Sequence, residues 1–212
     1  MWQEVSEVVA RSLLVSGTAT VLAASWSIPT AMFLAEKESA FRRVLLDVSN
    51  TLVGVPTVLI GLILYLLLSR SGPLGFFGLL YTPASIVAGE AILITPLIVS
   101  LSASVLREKR AEVWEMALSM GATERQASAT MVAESLPRLL TAVLLGFNRA
   151  IGELGVALML GGNIKGFTRV MTTAIALEVS RGEFELALTL GGVLLVVVFG
   201  ITAIVRKVGK AG

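Results

Sequence analysis

Five stretches of this chain are too long and too apolar to be placed anywhere but across a lipid bilayer. They cover residues 8–35, 44–69, 84–106, 136–160 and 185–205. A helix of about 20 predominantly apolar residues crosses the hydrocarbon core. No water is available there to the backbone, so each span must be an α-helix that satisfies its own N–H and C=O groups. Composition agrees, with 55% hydrophobic and 15% charged residues, where a soluble domain carries about 25% charged. The expected fold is all-α: one polytopic membrane domain over residues 1–212, with five transmembrane helices. The first seven residues are acidic rather than basic, unlike the opening of a secretory signal. The first span is therefore expected to be retained.

Lys and Arg set the expected orientation. With the N-terminus outside, the cytoplasmic segments hold Lys37, Arg42, Arg43, Arg107, Lys109, Arg110, Arg125, Arg138, Arg206, Lys207 and Lys210. The outer segments hold Arg11, Arg70, Lys165, Arg169 and Arg181. The excess favours a chain that spans the cytoplasmic membrane with its N-terminus outside and its C-terminus in the cytoplasm.

Residues 107–135 are too charged to span and too long for a plain connection, since most connections are short. Ala111 to Met120 are good helix formers that end at Gly121, a residue suited to the left-handed closure of a helix. Thr123 and Gln126 then match a capping box. The pattern predicts a helix outside the bilayer, a Gly turn and a second helix. Val113, Trp114, Ala117, Leu118 and Met120 give the first helix an apolar side, expected to dock another protein.

Several strings here resemble one family. Glu115-Met116-Ala117, with Gly121 and Ala122 following, is similar to the signature of the permease subunits of ATP-binding-cassette (ABC) importers, with Met116 in place of the usual Ala. Leu136-Pro137 follows Gly121 about three residues later than is usual. Arg149-Ala150-Ile151-Gly152-Glu153-Leu154-Gly155, then Gly161-Gly162-Asn163, resembles the molybdate, sulfate and tungstate permeases. Asn50 to Thr57, Leu67 to Gly75 and Gly166 to Glu178 resemble the tungstate-type branch. The resemblance implies a type I importer permease whose coupling helix seats in a separate ATPase. It also implies a second copy of the chain, two ABC ATPase subunits and an extracytoplasmic substrate-binding protein. ATP and magnesium would belong to the ATPase, and no cofactor to this chain.

The chain's own residues fit a non-catalytic role. It has no cysteine and no histidine, which removes thiol chemistry and the usual zinc and haem ligands. The nearest phosphate-loop string, Gly161-x4-Gly166-Phe167-Thr168, has Phe where Lys is required. A net charge of +2 without a basic stripe gives no footing for nucleic acid.

Glu90 and Glu153 read as carboxylates within spans, and ionisable residues there usually face a bundle interior or a water-filled path. Arg149 and Glu153 are four apart and can pair on one helix face. They, with Gly152 and Gly155, are candidates for the pore or its gate, against the plainer reading of a structural ion pair. Arg70, Lys165, Arg169 and Arg181 are candidates for docking the binding protein, against plain solvated loop charge. Pro29, Pro56 and Pro96 can kink their helices, for gating or for packing alone. Molybdate or sulfate permeases of the same class stay open as alternatives. So does an ion-coupled secondary transporter, although no internal repeat of the kind such folds carry is visible. A membrane-embedded enzyme would need an Asp/Glu or Ser–Lys pair within the spans.

Overall fold

A computed structural model describes residues 2–36 and 39–209; Lys37 and Lys210, counted above among the cytoplasmic charges, lie outside them. The described residues form helices and no strands. Helix α1 (Trp2–Glu36) buries a stripe of small residues, among them Ser12, Ser16, Ala19, Ala23, Ser27 and Ala31. Small side chains let helices approach closely, which is how helix packing is won in lipid. The partner of that stripe is α4 (Pro83–Lys109), the centre of the bundle, which packs most extensively against α1 and then against α6 (Glu124–Ile151).

The core is built in layers. At one end Ala31 and Leu34 of α1 meet Val99, Ala103 and Leu106 of α4 and Met131 and Leu139 of α6. In the middle Ala19 and Ala23 meet Ala91, Ile94, Ile98 and Ala150. At the other end Val5, Val8 and Ile151 meet Met171, Ala174 and Leu190.

Three expectations change. The second span, expected over 44–69, is a bent pair: α2 (Ala40–Val53) and α3 (Thr57–Leu68) meet at 101°. The cause is Gly54-Val55-Pro56, since Gly54 closes α2 and Pro56 has no N–H to continue it. Among the described residues four helical runs are long and apolar enough to cross a membrane on their own, and a fifth if the bent pair is taken as one. The fourth span, expected over 136–160, instead begins at Glu124 and ends at Ile151; after a break a short helix α7 (Gly155–Gly161) follows. Residues 171–181, read from sequence as outer loop, form helix α8 (Met171–Arg181), closed by a left-handed Gly182. Helix α9 (Phe184–Gly209) completes the bundle, with little of it buried.

The expected free-standing helix at 111–120 is also different in kind. α4 continues without interruption through a π-helical turn, Arg110–Trp114, into α5 (Glu115–Ser119). The run Pro83–Ser119 has 37 residues. At 1.5 Å per residue it is about 55 Å long, well over the roughly 30 Å of a hydrocarbon core. Its last turns therefore project beyond the apolar layer while remaining an extension of the central helix.

Candidate functional site

The projecting end is shaped by local chemistry. Gly121 has φ +89° and open space where a Cβ would be. Its N–H donates to the Leu118 carbonyl at 3.0 Å, and that of Ala122 to the Ala117 carbonyl at 3.0 Å. This is the Schellman closure that a left-handed residue allows. The capping box is formed as expected: the Gln126 N–H donates to Thr123 Oγ1 at 3.4 Å, and the Thr123 N–H to Gln126 Oε1 at 2.9 Å. Two helices are thus pinned head to tail around one glycine.

The apolar side of this segment divides. Val113 is buried, and Trp114 is half-buried beneath the Arg110 guanidinium, 4.3 Å from its ring centre. Ala117 and Leu118 are also only partly exposed. Outward, instead, face Glu115, Met116, Ser119 and Met120, the last 80% exposed. The exposed surface is a Met pair four residues apart beside the carboxylates of Glu112 and Glu115, and methionine is an adaptable contact residue. Met116, which stands where the resembled signature has Ala, is therefore on the outward face.

A second arrangement sits at the break after α6. Arg149 Nη1 donates to Glu153 Oε2 at 2.8 Å. Glu153 lies beyond the helix end, after Gly152, so the pair does not sit on one continuous helix as expected. Glu153 Oε1 accepts the Val156 N–H at 3.1 Å, which satisfies an otherwise open donor of the first turn of α7. Its backbone carbonyl accepts from Thr172 Oγ1 at 2.7 Å. One carboxylate side chain thus ties the end of α6 to the start of α7, and its carbonyl ties both to α8. Gly155 fits closely beside Thr57 and Val58 of α3. Glu90 is 1% exposed on α4, with Oε2 lacking a hydrogen-bond partner and Ser16 as its polar neighbour.

The four outer cations do different things. Arg70 is exposed in the turn after α3, and Arg181 is exposed beside Glu178 at 3.4 Å. Lys165 is exposed and reaches Glu4 of α1 at 2.8 Å. Arg169 turns inward: it is 8% exposed, donates through Nε to Asn163 Oδ1 at 3.2 Å, and lies 3.7 Å from Glu4. Arg11 donates to the Arg169 carbonyl at 3.0 Å, and the Met171 N–H to Ser12 Oγ at 2.8 Å. Expected as a docking charge, Arg169 is a tether between α1 and the loop before α8, because burial leaves it little surface to present. Its partner Glu4, four residues from Val8 where the first span was expected to start, was not singled out from sequence.

The family described as "Binding-protein-dependent transport system inner membrane component" matches residues 27–209. The tungstate uptake system permease protein TupB of Peptoclostridium acidaminophilum is 38% identical over 202 residues, 95% of this chain and 89% of the relative. The protein of the same name from Campylobacter jejuni is 35% identical over 82% of this chain and 72% of the relative. The molybdenum transport system permease protein ModB of Azotobacter vinelandii is 28% identical over 85% of this chain and 84% of the relative.

Proposed function

This chain belongs to the family of binding-protein-dependent transport system inner membrane components, and from that membership we propose that it is the permease subunit of an ABC importer for tungstate. The observation that carries the substrate is the likeness to two tungstate uptake permeases along most of the chain, at higher identity than to the molybdenum transport relative. The projecting turn at Glu115–Gly121 supports the coupling role. It is the end of the central helix, so a push on Met116 and Met120 is delivered along α4 to every helix that packs on it.

The working cycle is alternating access. Two copies of the chain form the pore, and two ATPase subunits, which hold ATP and magnesium, grip Glu115, Met116, Ala117, Gly121 and Ala122. A loaded binding protein docks on the outer face through exposed Arg70, Lys165 and Arg181. ATP-driven closure of the ATPases moves the two turns together and opens the pore outward; hydrolysis resets it. The N-terminus is outside and the C-terminus cytoplasmic, as the distribution of Lys and Arg favours. Gly152, Glu153 and Gly155 form the corner at which α6 gives way to α7. With Arg149 they are the gate candidates, since a helix break can absorb a change of backbone angle without unpacking a core.

The test is uptake by vesicles containing the permease, its ATPase and its binding protein. Labelled tungstate should enter only with ATP inside. A tenfold excess of unlabelled tungstate should abolish entry, and the same excess of sulfate should leave it intact. Entry driven by an ion gradient without ATP would overturn the importer reading. Equal competition by sulfate would overturn the substrate.

A further inference from the structure

One polar feature of the bundle is not used by the coupling turn, the α6–α7 corner or the outer loop. Helix α2 carries Arg43, Asp47 and Asn50 at i, i+4 and i+7, and α4 carries Ser100, Ser104 and Arg107 at the same spacing. Residues so spaced share one helix face. The two stripes meet, and with Leu46 and Leu101 they line a groove of about 410 Å³. Ser100 Oγ donates to Asn50 Oδ1 at its inner end. Arg107 also donates to the Leu34 carbonyl at 3.4 Å, which anchors its guanidinium at the groove edge. Asp47 was passed over in the sequence, where Glu90 and Glu153 stood as the carboxylates within spans.

By the distribution of Lys and Arg, Arg43 and Arg107 lie at the cytoplasmic ends of their helices, and Asp47 lies one turn further in, where a charged side chain faces a bundle interior, a partner or water rather than lipid. α2 has a different surface for lipid: Phe41, Val44, Val48 and Leu52 are all exposed. The helix is therefore two-sided, with hydrocarbon on one face and polar groups on the other.

We infer that the Arg43–Asp47–Asn50 stripe of α2 and the Ser100–Ser104–Arg107 stripe of α4 line the anion's path, as a weak way-station for a tetrahedral dianion. The inference rests on the importer reading above. Guanidinium, amide and hydroxyl groups supply donors to an anion that has only acceptor oxygens. Asp47 sets a carboxylate among these donors. The carboxylate also keeps the site weak, and a conducting site must release what it binds.

The chain has no native cysteine, so single substitutions report cleanly. Ser104→Cys and Val48→Cys place one thiol on each face in otherwise intact transporter. A charged, membrane-impermeant thiol reagent should modify S104C at least tenfold faster than V48C. Tungstate should slow that modification, and modification should stop uptake. Arg43→Gln with Arg107→Gln should lower uptake at least tenfold while ATP hydrolysis continues. Arg43→Gln alone serves if loss of the Arg107 contact to Leu34 impairs folding. If wild-type transporter moves tungstate but S104C reacts no faster than V48C, or the Arg variants transport at the wild-type rate, the groove is not the path. If wild-type transporter shows no ATP-driven uptake, the importer reading fails and this inference with it.

Discussion

Arg149 and Glu153 hold each other at 2.8 Å across the point where α6 ends, and the same carboxylate caps α7 through the Val156 N–H. Glu153→Ala removes both contacts. Breaking a fully buried pair costs about 3–5 kcal/mol, but the Arg149 side chain is 40% exposed and can turn to water. The expected loss is about 1–3 kcal/mol. Glu153→Gln keeps an acceptor for Val156 and should melt between the two in detergent. A Glu153→Ala protein that melts with the wild type would remove this corner from the account.

Gly89 sits where α4 crosses α7. A Cβ there would lie 2.5 Å from side-chain carbons of both Leu160 and Val156. Gly89→Val should therefore destabilise by about 1–3 kcal/mol, the usual cost of overpacking. Adding Leu160→Ala should recover part of the loss by making room. Non-additivity of the pair, read from melting temperatures, checks the contact.

The tether at the outer face predicts an asymmetry between two cations that share Glu4. Lys165 is exposed, so Lys165→Ala should cost no more than about 1 kcal/mol. Arg169 is buried and also holds Asn163, so Arg169→Ala should cost several times that and loosen the loop before α8. Protease nicking at 162–170 in the two variants measures the difference. Equal sensitivity would contradict the tether.

These sites differ in how far the sequence reveals them, and the reason is range. The capping box of Thr123 and Gln126 and the turn at Gly121 are local chemistry, confined to a few consecutive residues, and both are formed as read. The break at Gly54-Val55-Pro56 was visible as a kink, but its 101° bend depends on how α3 packs on α7. Apolar periodicity carried the reading of residues 136–160 straight through Gly152, because a hydrophobic run looks the same whether it continues or turns. Helix α8 was hidden for the opposite reason: its polar Thr172, Thr173 and Glu178 are buried, with Thr172 donating to the Glu153 carbonyl, a partner that only the folded chain supplies, and Thr173 to the Val170 carbonyl at the helix start. The inward turn of Arg169 depends on Glu4, which is distant in sequence.

Thr123 tests the local part directly. Thr123→Ala removes the side-chain acceptor at the start of α6 and should cost about 1 kcal/mol, while Thr123→Ser should cost little. Hydrogen exchange at Gln126 should rise in the Ala variant and stay near wild type in the Ser variant. Unchanged exchange in both would mean that the cap does not hold this helix start.

Gly121 is the most sensitive position of the proposed coupling turn. At φ +89° a β-branched residue is strained by about 1–2 kcal/mol and the Schellman closure is lost. The decisive measurement is the amount of tungstate imported per ATP hydrolysed by vesicles containing the permease, its ATPase and its binding protein, compared between wild type and Gly121→Val. The wild type should show ATP-dependent tungstate uptake, and in the variant that ratio should collapse or assembly with the ATPase should fail. An unchanged ratio in fully assembled Gly121→Val transporter would contradict the coupling role.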